Sequence, residues 1–447
     1  MAYKNFTAVN TVQAINNQIQ KQYPVTFPAI NQSNFSDMAS ALRTASGPVQ
    51  NAWQEELVNM IKDNILKNKR TYESYYRKLH LAPIPGFEYQ LQMIDLIEAR
   101  AYSPDADADD FFADEKADVG TQYVNYPQKF RFAVSVNLEN LTAAFVSEAR
   151  FMDFVGQIEA NMYNSMEMSD VKTVNYMISQ NIEQGNIFLV PMAKPVDQTT
   201  ALAFTAQLKA LAEDMAVELS PEYNLAGFNT FVPRDEGIVI TDTDTKAVTE
   251  TYSLAWAFNR EFLDLQQGGQ AITMKANSIC GGKVFALYGD RYAFEIRNIE
   301  GFPQTRYQEF GNTLTTKRWL HYWAQYTMSY FNAMAAFADS TAIDSNPTIA
   351  LGLADGTTAV NKGVKNQVKV ATFTPTTGKI FDKFGSYELS GETSDNTIID
   401  QYSGKLKVGK DETGSDVSGL TGKYITVTWT SHLDANVTAT LNIKINS

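Results

Sequence analysis

"RWLHYWAQYTMSYFNAMAAF" runs from Arg318 to Phe337 and carries two Trp, three Tyr and two Phe in twenty residues. Three readings compete: a membrane span, a base-stacking surface, or a long packed strand. A membrane helix needs roughly 18 uninterrupted apolar residues, and Arg318, His321, Gln325, Ser329 and Asn332 interrupt this stretch. Base stacking needs rings beside positive charge, and here only Lys317 and Arg318 supply it, at one end. The alternation decides. Leu320, Tyr322, Ala324, Tyr326, Met328 and Tyr330 fall on one face, and Trp319, His321, Trp323, Gln325, Thr327 and Ser329 on the other. A period of two over about eleven residues is roughly 35 Å of strand. Trp319, Tyr322, Trp323, Tyr326 and Tyr330 are then packing residues, with one face turned toward a long helix. From Phe331 the alternation fades, and "NAMAAFADS" is read as the exit toward a C-terminal module.

The chain has 447 residues, 44% apolar and 19% charged, which predicts a globular protein of two or three domains. The single Cys280 has no partner for an intramolecular disulfide, so stability has to come from burial and contacts. "MAYKNFTAVNTVQAINNQIQ" lacks the apolar core of a secretory signal, and no membrane partner is expected. A net charge of −13 is the opposite of what a phosphate-gripping protein carries on average.

Residues 1–48 are Asn/Gln-rich, with Pro24 and Pro28 breaking any long helix, and read as an extended arm with little core. A helix starts at Pro48, with Trp53, Leu57, Met60, Ile61 and Leu66 near helical spacing. Residues 83–140 read as a long two-stranded excursion. Its return strand puts Phe130, Phe132, Val134 and Val136 on one side, and its tip is acidic. The strongest helix holds Phe151, Phe154, Val155, Ile158 and Met162 on one stripe. Met168, Val171, Val174, Met177 and Ile178 continue the stripe after a phase shift, and Gly185 is the stop. Unbroken from Glu148, it would span about 55 Å. Residues 200–300 mix helices with "GIVITD", "GGKVFALYGD" and "RYAFEIRN" and read as one α/β unit. Beyond 344 the composition turns to Thr, Gly, Val and Ser, and ten Lys balance ten Asp and Glu. Alternating strands there predict a separate all-β sandwich over 345–447.

Chemistry-bearing motifs are scarce. His80, His321 and His432 are far apart, and no paired-Cys zinc spacing exists. "GGKVFALYG" places its glycines before a strand rather than a helix N-terminus, so it does not cradle phosphate. Asp105, Asp107 and Asp109 imitate the start of a calcium loop, but Asp110 replaces the required Gly and Lys116 the required Glu. The tip is read as a solvated acidic surface, or as a plug for a neighbouring subunit's basic patch. Asp242, Asp244 and Glu250 would be the carboxylates of a hydrolase, yet helix capping, where Asp is favoured, is the stronger account of Asp242 and Asp244. No catalytic, metal or cofactor site is expected.

The order of parts resembles the Hong Kong 97-type capsid fold of tailed phages, and most closely the major capsid proteins of small short-tailed phages of the Picovirinae type. Three stretches carry the resemblance: "TAAFVSEARFMDFVGQIEANMYNS", "IVITDTDTKAVTETYSLAWAFN" and "TLTTKRWLHYWAQYTMSYFNAMAAF". "YSGKLKVGKDETG" and "YITVTWTS" resemble the bacterial immunoglobulin-like group-2 module. The resemblance implies an α+β fold with an N-terminal arm over 1–48 and a capsid core over 49–344. Within that core lie an E-loop over 83–140, the spine helix and peripheral domain over 141–199, an axial domain over 200–300 and a peripheral strand over 301–344. An immunoglobulin-like sandwich would follow over 345–447. It further implies a non-enzymatic shell subunit, made in the host cytoplasm and residing in the virion. Its partners would be copies of itself in hexamers and pentamers, a scaffolding protein, a portal and packaged double-stranded DNA. The competing reading is a cell-surface or glycan-binding protein that displays the sandwich, with a host-surface glycan bound through 345–447.

Overall fold

The computed structural model describes residues 8–31, 34–64, 72–97, 118–145, 147–252, 270–299, 305–308, 315–361, 365–391, 397–408 and 421–446. The acidic tip Asp105–Asp110 and Leu66 lie outside these residues.

Three helices open the chain: α1 (Ala8–Gln22), α2 (Asp37–Thr44) and α3 (Gly47–Asn64). This departs from the coreless arm expected over 1–48. Ala8, Val12, Ile15 and Ile19 recur at helical spacing and are fully buried, and Phe27, Ile30, Phe35, Met38 and Leu42 join them around Trp53. The Asn/Gln content conceals this stripe, and its cover comes from α3 and from residues beyond 140. Pro24 stops α1, since proline cannot supply the next helical N–H.

The chain then lays down β1 (His80–Ile84), β2 (Tyr89–Ile94), β3 (Val119–Val124) and β4 (Gln128–Asn137), followed by α4 (Leu138–Ala144) and α5 (Glu148–Glu183). β2 and β3 form a separate antiparallel ribbon. The 36 residues of α5 make a helix about 54 Å long. Ser147 caps its start by accepting from the Arg150 N–H at 3.3 Å, and Gly185 ends it at φ +72°.

Next come β5 (Phe188–Met192), α6 (Gln198–Val217), β6 (Gly237–Asp242), α7 (Thr243–Tyr252), β7 (Gln270–Met274), β8 (Val284–Asp290), β9 (Phe294–Ile299), β10 (Thr305–Gln308), β11 (Thr315–Met328) and β12 (Met334–Asp339). Two sheets result. The central one runs β5-β12-β8-β6-β7. One face (Leu189, Ile238, Ile240, Leu287, Ala336) packs toward α5, and the other (Phe188, Val190, Val239, Phe285, Phe337) packs toward α6. In the second sheet β11 pairs with β4 along one edge and with β10 and then β9 along the other, and β1 lies beyond β9.

Two sequence expectations change here. The 200–300 unit is not one sheet: β9 leaves β8 and pairs with β11 and β1, while β5 and β12 from outside that range complete the central sheet. Strand order in the sheet is not order in the chain. Likewise "NAMAAFAD" is no exit segment but holds β12, paired between β5 and β8 with Met334 to Ala338 all buried. A strand covered on both faces reads as a continuous apolar run, so the lost alternation marked deeper burial.

The remaining strands are β13 (Thr348–Leu353), β14 (Ala359–Asn361), β15 (Lys365–Thr374), β16 (Gly385–Gly391), β17 (Ile398–Ile399), β18 (Lys405–Lys407), β19 (Tyr424–Ser431) and β20 (Thr438–Asn446). They form two four-stranded sheets, β13-β15-β18-β17 and β14-β20-β19-β16. Between them lies a core of Leu351, Val368, Leu406, Ile425, Val427, Trp429 and Ile443. This is the expected all-β sandwich.

Candidate functional site: the ribbon and the seams that support it

With no ligand-bearing motif to build from, the residues that can act are those presented to a partner and those that hold them in place. The β2–β3 ribbon alternates strictly. Its inner face lies on the body. Gln122 donates to the Met328 carbonyl at 2.8 Å and accepts from the Tyr330 N–H at 3.0 Å. Tyr89 donates to Thr327 at 3.1 Å. Gly120 lies flush on two rings: a Cβ there would sit 2.5 Å from Phe331 and 2.7 Å from Phe228. The outer face exposes Ile94 (65%), Val119 (57%) and Tyr123 (70%), and the outgoing chain adds Leu96 and Ile97. Ile94 and Val119 are cross-strand partners, so with Leu96 and Ile97 they form one patch at the far end of the ribbon.

β11 backs this arrangement. Tyr322 and Tyr326 point to α5 and converge on Asp170, which is 2% exposed in mid-helix. Tyr326 Oη donates to Asp170 Oδ1 at 2.7 Å, Tyr322 Oη lies at 3.4 Å, and His80 Nε2 sits 3.1 Å from Oδ2. A lone buried carboxylate is costly, and three side-chain donors from β11 and β1 compensate it. Burial first, then the Asp170 charge, raises the Tyr322 hydroxyl above its ordinary range although its hydrogen bond with Tyr326 works the other way; burial, then Tyr322 and Asp170, raises that of Tyr326 further. On the opposite face Trp323 packs against Phe87, with the Lys129 ammonium 4.7 Å over the Trp323 ring. Trp319, His321 and Tyr330 are half-buried.

The spine residues divide. Phe151 and Phe154 belong to the N-terminal helical cluster and Met162 is buried; the Val155 and Ile158 side chains lie outside the described residues. Met168 is 47% exposed rather than on the stripe, because the buried line follows Met162, Asp170, Val174, Ile178 and Ile182 at multiples of four. Asp170 was the missed residue, and its signal was in the sequence: a carboxylate standing on an apolar helical stripe.

A second seam joins the sandwich to the core. Asp382, between β15 and β16, is fully buried and reaches the free edge of β5. Its Oδ2 accepts from the Leu189 N–H at 2.7 Å and lies 2.8 Å from His432 Nε2, while Oδ1 accepts from the Phe384 N–H at 3.2 Å. The His432 ring stacks on Phe188 with centroids 4.0 Å apart. Lys383 donates its N–H to the Gly185 carbonyl at 3.1 Å and its ammonium to Asn186 Oδ1 at 3.1 Å. Burial pulls the Lys383 amine below its ordinary pKa. The sandwich therefore caps an open sheet edge. The seam borders a cleft of about 650 Å³ lined by Glu222, Lys383, Tyr387, Tyr402 and His432 among others.

The candidate hydrolytic carboxylates are structurally engaged. Asp242 accepts from the Thr245 N–H at 2.7 Å, capping α7, and pairs with Lys194 at 2.7 Å. Asp244 lies 3.5 Å from the same ammonium, and Glu250 pairs with Lys246 at 3.6 Å. Among the described residues no three potential metal ligands cluster, and no helix is long and apolar enough to cross a membrane. Cys280 is buried, which pushes its thiol up to about 11.

Known proteins place this architecture. The chain is 23% identical over 389 residues to the major capsid protein of Bacillus phage GA-1, covering 80% of this chain and 78% of that one. It is 22% identical over 316 residues to that of Bacillus phage PZA, covering 69% and 70%. Among solved structures, the capsid of Staphylococcus phage Andhra aligns at TM-score 0.49 and 10% identity, over 62% of this chain and 87% of that one. The capsid of cyanophage P-SCSP1u aligns at TM-score 0.43 and 11% identity, over 62% and 91%. The family model of the Phi29-like phage major capsid protein matches residues 12–338, which take in the helical cluster, the ribbon, α5 and both core sheets. The chain belongs to the Phi29-like phage major capsid proteins.

Proposed function

We propose that this major capsid protein closes, as hexamers and pentamers of itself, into an icosahedral shell of Hong Kong 97 type around double-stranded DNA. The observation that carries this reading is the ribbon. At its far end Ile94, Val119, Leu96 and Ile97 make an apolar patch that none of the described residues covers, which is how an element built for burial against another copy looks. On this reading residues 83–140 supply the extended loop, α5 is the spine, and the central sheet with α6 and α7 forms the axial part. The sandwich is an immunoglobulin-like module. A net charge of −13 suits a wall that must not grip packed phosphates. A scaffolding protein and a portal are the partners that such a shell needs to start and close.

The test is electron microscopy of the purified chain with and without its scaffolding partner. Uniform closed shells are expected. Small monodisperse species under every condition would refute the reading.

A second role is supported by the cleft beside Asp382, where Tyr402 and Glu222 offer a ring face and an acceptor to a sugar. Host-surface glycan binding by intact shells, lost with Tyr402→Ala, is the expected result, and equal retention of both shells by the same array would exclude it.

A further inference from the structure

We propose that the sandwich aims the ribbon: Lys405 of β18 clasps Asp95 at the point where the chain leaves the ribbon for its excursion. Asp95 is 5–7% exposed although its neighbours Leu96 and Ile97 are among the most exposed apolar residues described. It forms the cross-strand bond just beyond β2 and β3, donating its N–H to the Asp118 carbonyl at 2.9 Å. Its Oδ1 accepts from the Asn229 N–H at 3.1 Å, from Asn229 Nδ2 at 3.0 Å and from the Leu96 N–H at 3.0 Å. Its Oδ2 pairs with the Lys405 ammonium. The same ammonium lies 3.7 Å from Asp118 Oδ2 and 4.7 Å over the Phe228 ring.

Two physical facts make this more than a surface ion pair. Asp95 and Asp118 face each other across the ribbon, and like charges in that position push the strands apart. Among the described residues the one cation paired with both comes from a segment some three hundred residues later, so docking of the sandwich is what closes the ribbon's mouth. The clasp is also stiff at both ends. Lys405 sits on a strand whose N–H donates to Ser403 Oγ at 3.3 Å and whose carbonyl accepts from the Asp400 N–H at 2.9 Å. Ser403 packs so close to Gly227 that a Cβ there would lie 2.6 Å from it. Phe228 and Asn229, next in the chain, meet the ribbon. Sandwich, 227–229 loop and ribbon thus form one strut, and the direction of the ribbon's far end at Asp95 and Asp118 is set by the sandwich rather than by the ribbon's own two strands.

The assembly arm of the test rests on the shell reading above; the geometry arm does not. In the full-length chain carrying Cys280→Ser, spin labels at Thr121→Cys on the ribbon's outer face and Lys369→Cys on the sandwich report their separation before assembly. One narrow distance distribution is expected. Lys405→Met should broaden it and lower the yield of closed shells at least about tenfold, as expected for a buried carboxylate stripped of its cation. Lys405→Arg should preserve both, and melting of the sandwich core should stay near that of the parent. Should Lys405→Met fail to fold, Asp118→Lys tests the same clasp by placing a cation opposite Asp95. Its ribbon should then stay narrow when combined with Lys405→Gln. An unchanged distribution in Lys405→Met overturns the clasp. A broadened distribution with full shell yield overturns its role in aiming the ribbon's far end for assembly. Absence of shells from the parent chain, with the distance result intact, leaves the clasp standing and removes the shell reading instead.

Discussion

Asp170 and Asp382, two of the buried carboxylates that join parts of this molecule, are satisfied in opposite ways. Asp170 joins the long helix to the β11 sheet through side chains alone: two tyrosine hydroxyls and His80. Asp382 joins the sandwich to the central sheet chiefly through backbone N–H groups, those of Leu189 and Phe384, with His432 as the only side chain among the described residues. Both face a histidine. The difference teaches where each seam is vulnerable. A seam built on side-chain donors can be dismantled one substitution at a time. One built on backbone donors responds only to the carboxylate itself, because no substitution removes a main-chain N–H short of proline.

The sharpest break in this comparison is Asp382→Ala. It leaves the buried Leu189 and Phe384 N–H groups, and the partly exposed His432 ring, without their acceptor, and should cost about 3–5 kcal/mol. Denaturant unfolding followed by Trp429 fluorescence should show the sandwich melting early; an unchanged midpoint would mean that solvent reaches this seam. Gly185→Ala comes second. Its φ of +72° and a Cβ 2.8 Å from the Phe373 ring should together cost about 1–3 kcal/mol, read by the same curve. Third, Tyr326→Phe removes one of three donors from Asp170 and should cost about 1–2 kcal/mol. Tyr322→Phe, with its longer bond, should cost less. Equal losses for the two would break the reading of Asp170 as a graded site.

The smallest effect is on pH. Burial raises the Asp95 carboxyl, but Lys405 and the Asn229 donors outweigh it and leave it below its ordinary value of 3.8. For Asp344, at the entry to the sandwich, the Thr376 and Asn346 N–H groups outweigh burial in the same way. A depressed folded-state pKa gives stability that is present above the unfolded value and is lost as pH falls through the folded one. Burial raises Asp290 in the core instead, so its contribution has the opposite sign. Acidification from about pH 6 to about pH 3 should therefore raise amide exchange at 95–97 and 374–380 before it does so around β8. Uniform acceleration would contradict that order.

What the sequence disclosed follows from the range of the interactions involved. β11 was legible because its alternation is local, and so were α5 with its Gly185 stop and the sandwich with its even strand spacing. The helical core of 8–42 was not, because Val12, Ile15 and Ile19 become a buried stripe only against Trp53 and Phe145. β12 was misread because complete burial erases the period that marks a strand. His80, Leu189 and Lys405, partners of Asp170, Asp382 and Asp95 in turn, lie 90, 193 and 310 residues away in the chain. No local pattern predicts such pairings, although each Asp could have been flagged as a charge among apolar neighbours.

β11 also has a mechanical meaning. Its residues Thr315 to Ala324 are registered one-to-one with Asn137 to Gln128, and the same strand continues along β9 to Met328. A force applied along this strand shears the ladder, so its hydrogen bonds share the load and must fail together. A force across it would unzip them singly. The aromatic-rich stretch is thus oriented as a tie-rod. Stress directed along its length is shared by the whole ladder, and stress arriving from the side falls on one hydrogen bond at a time.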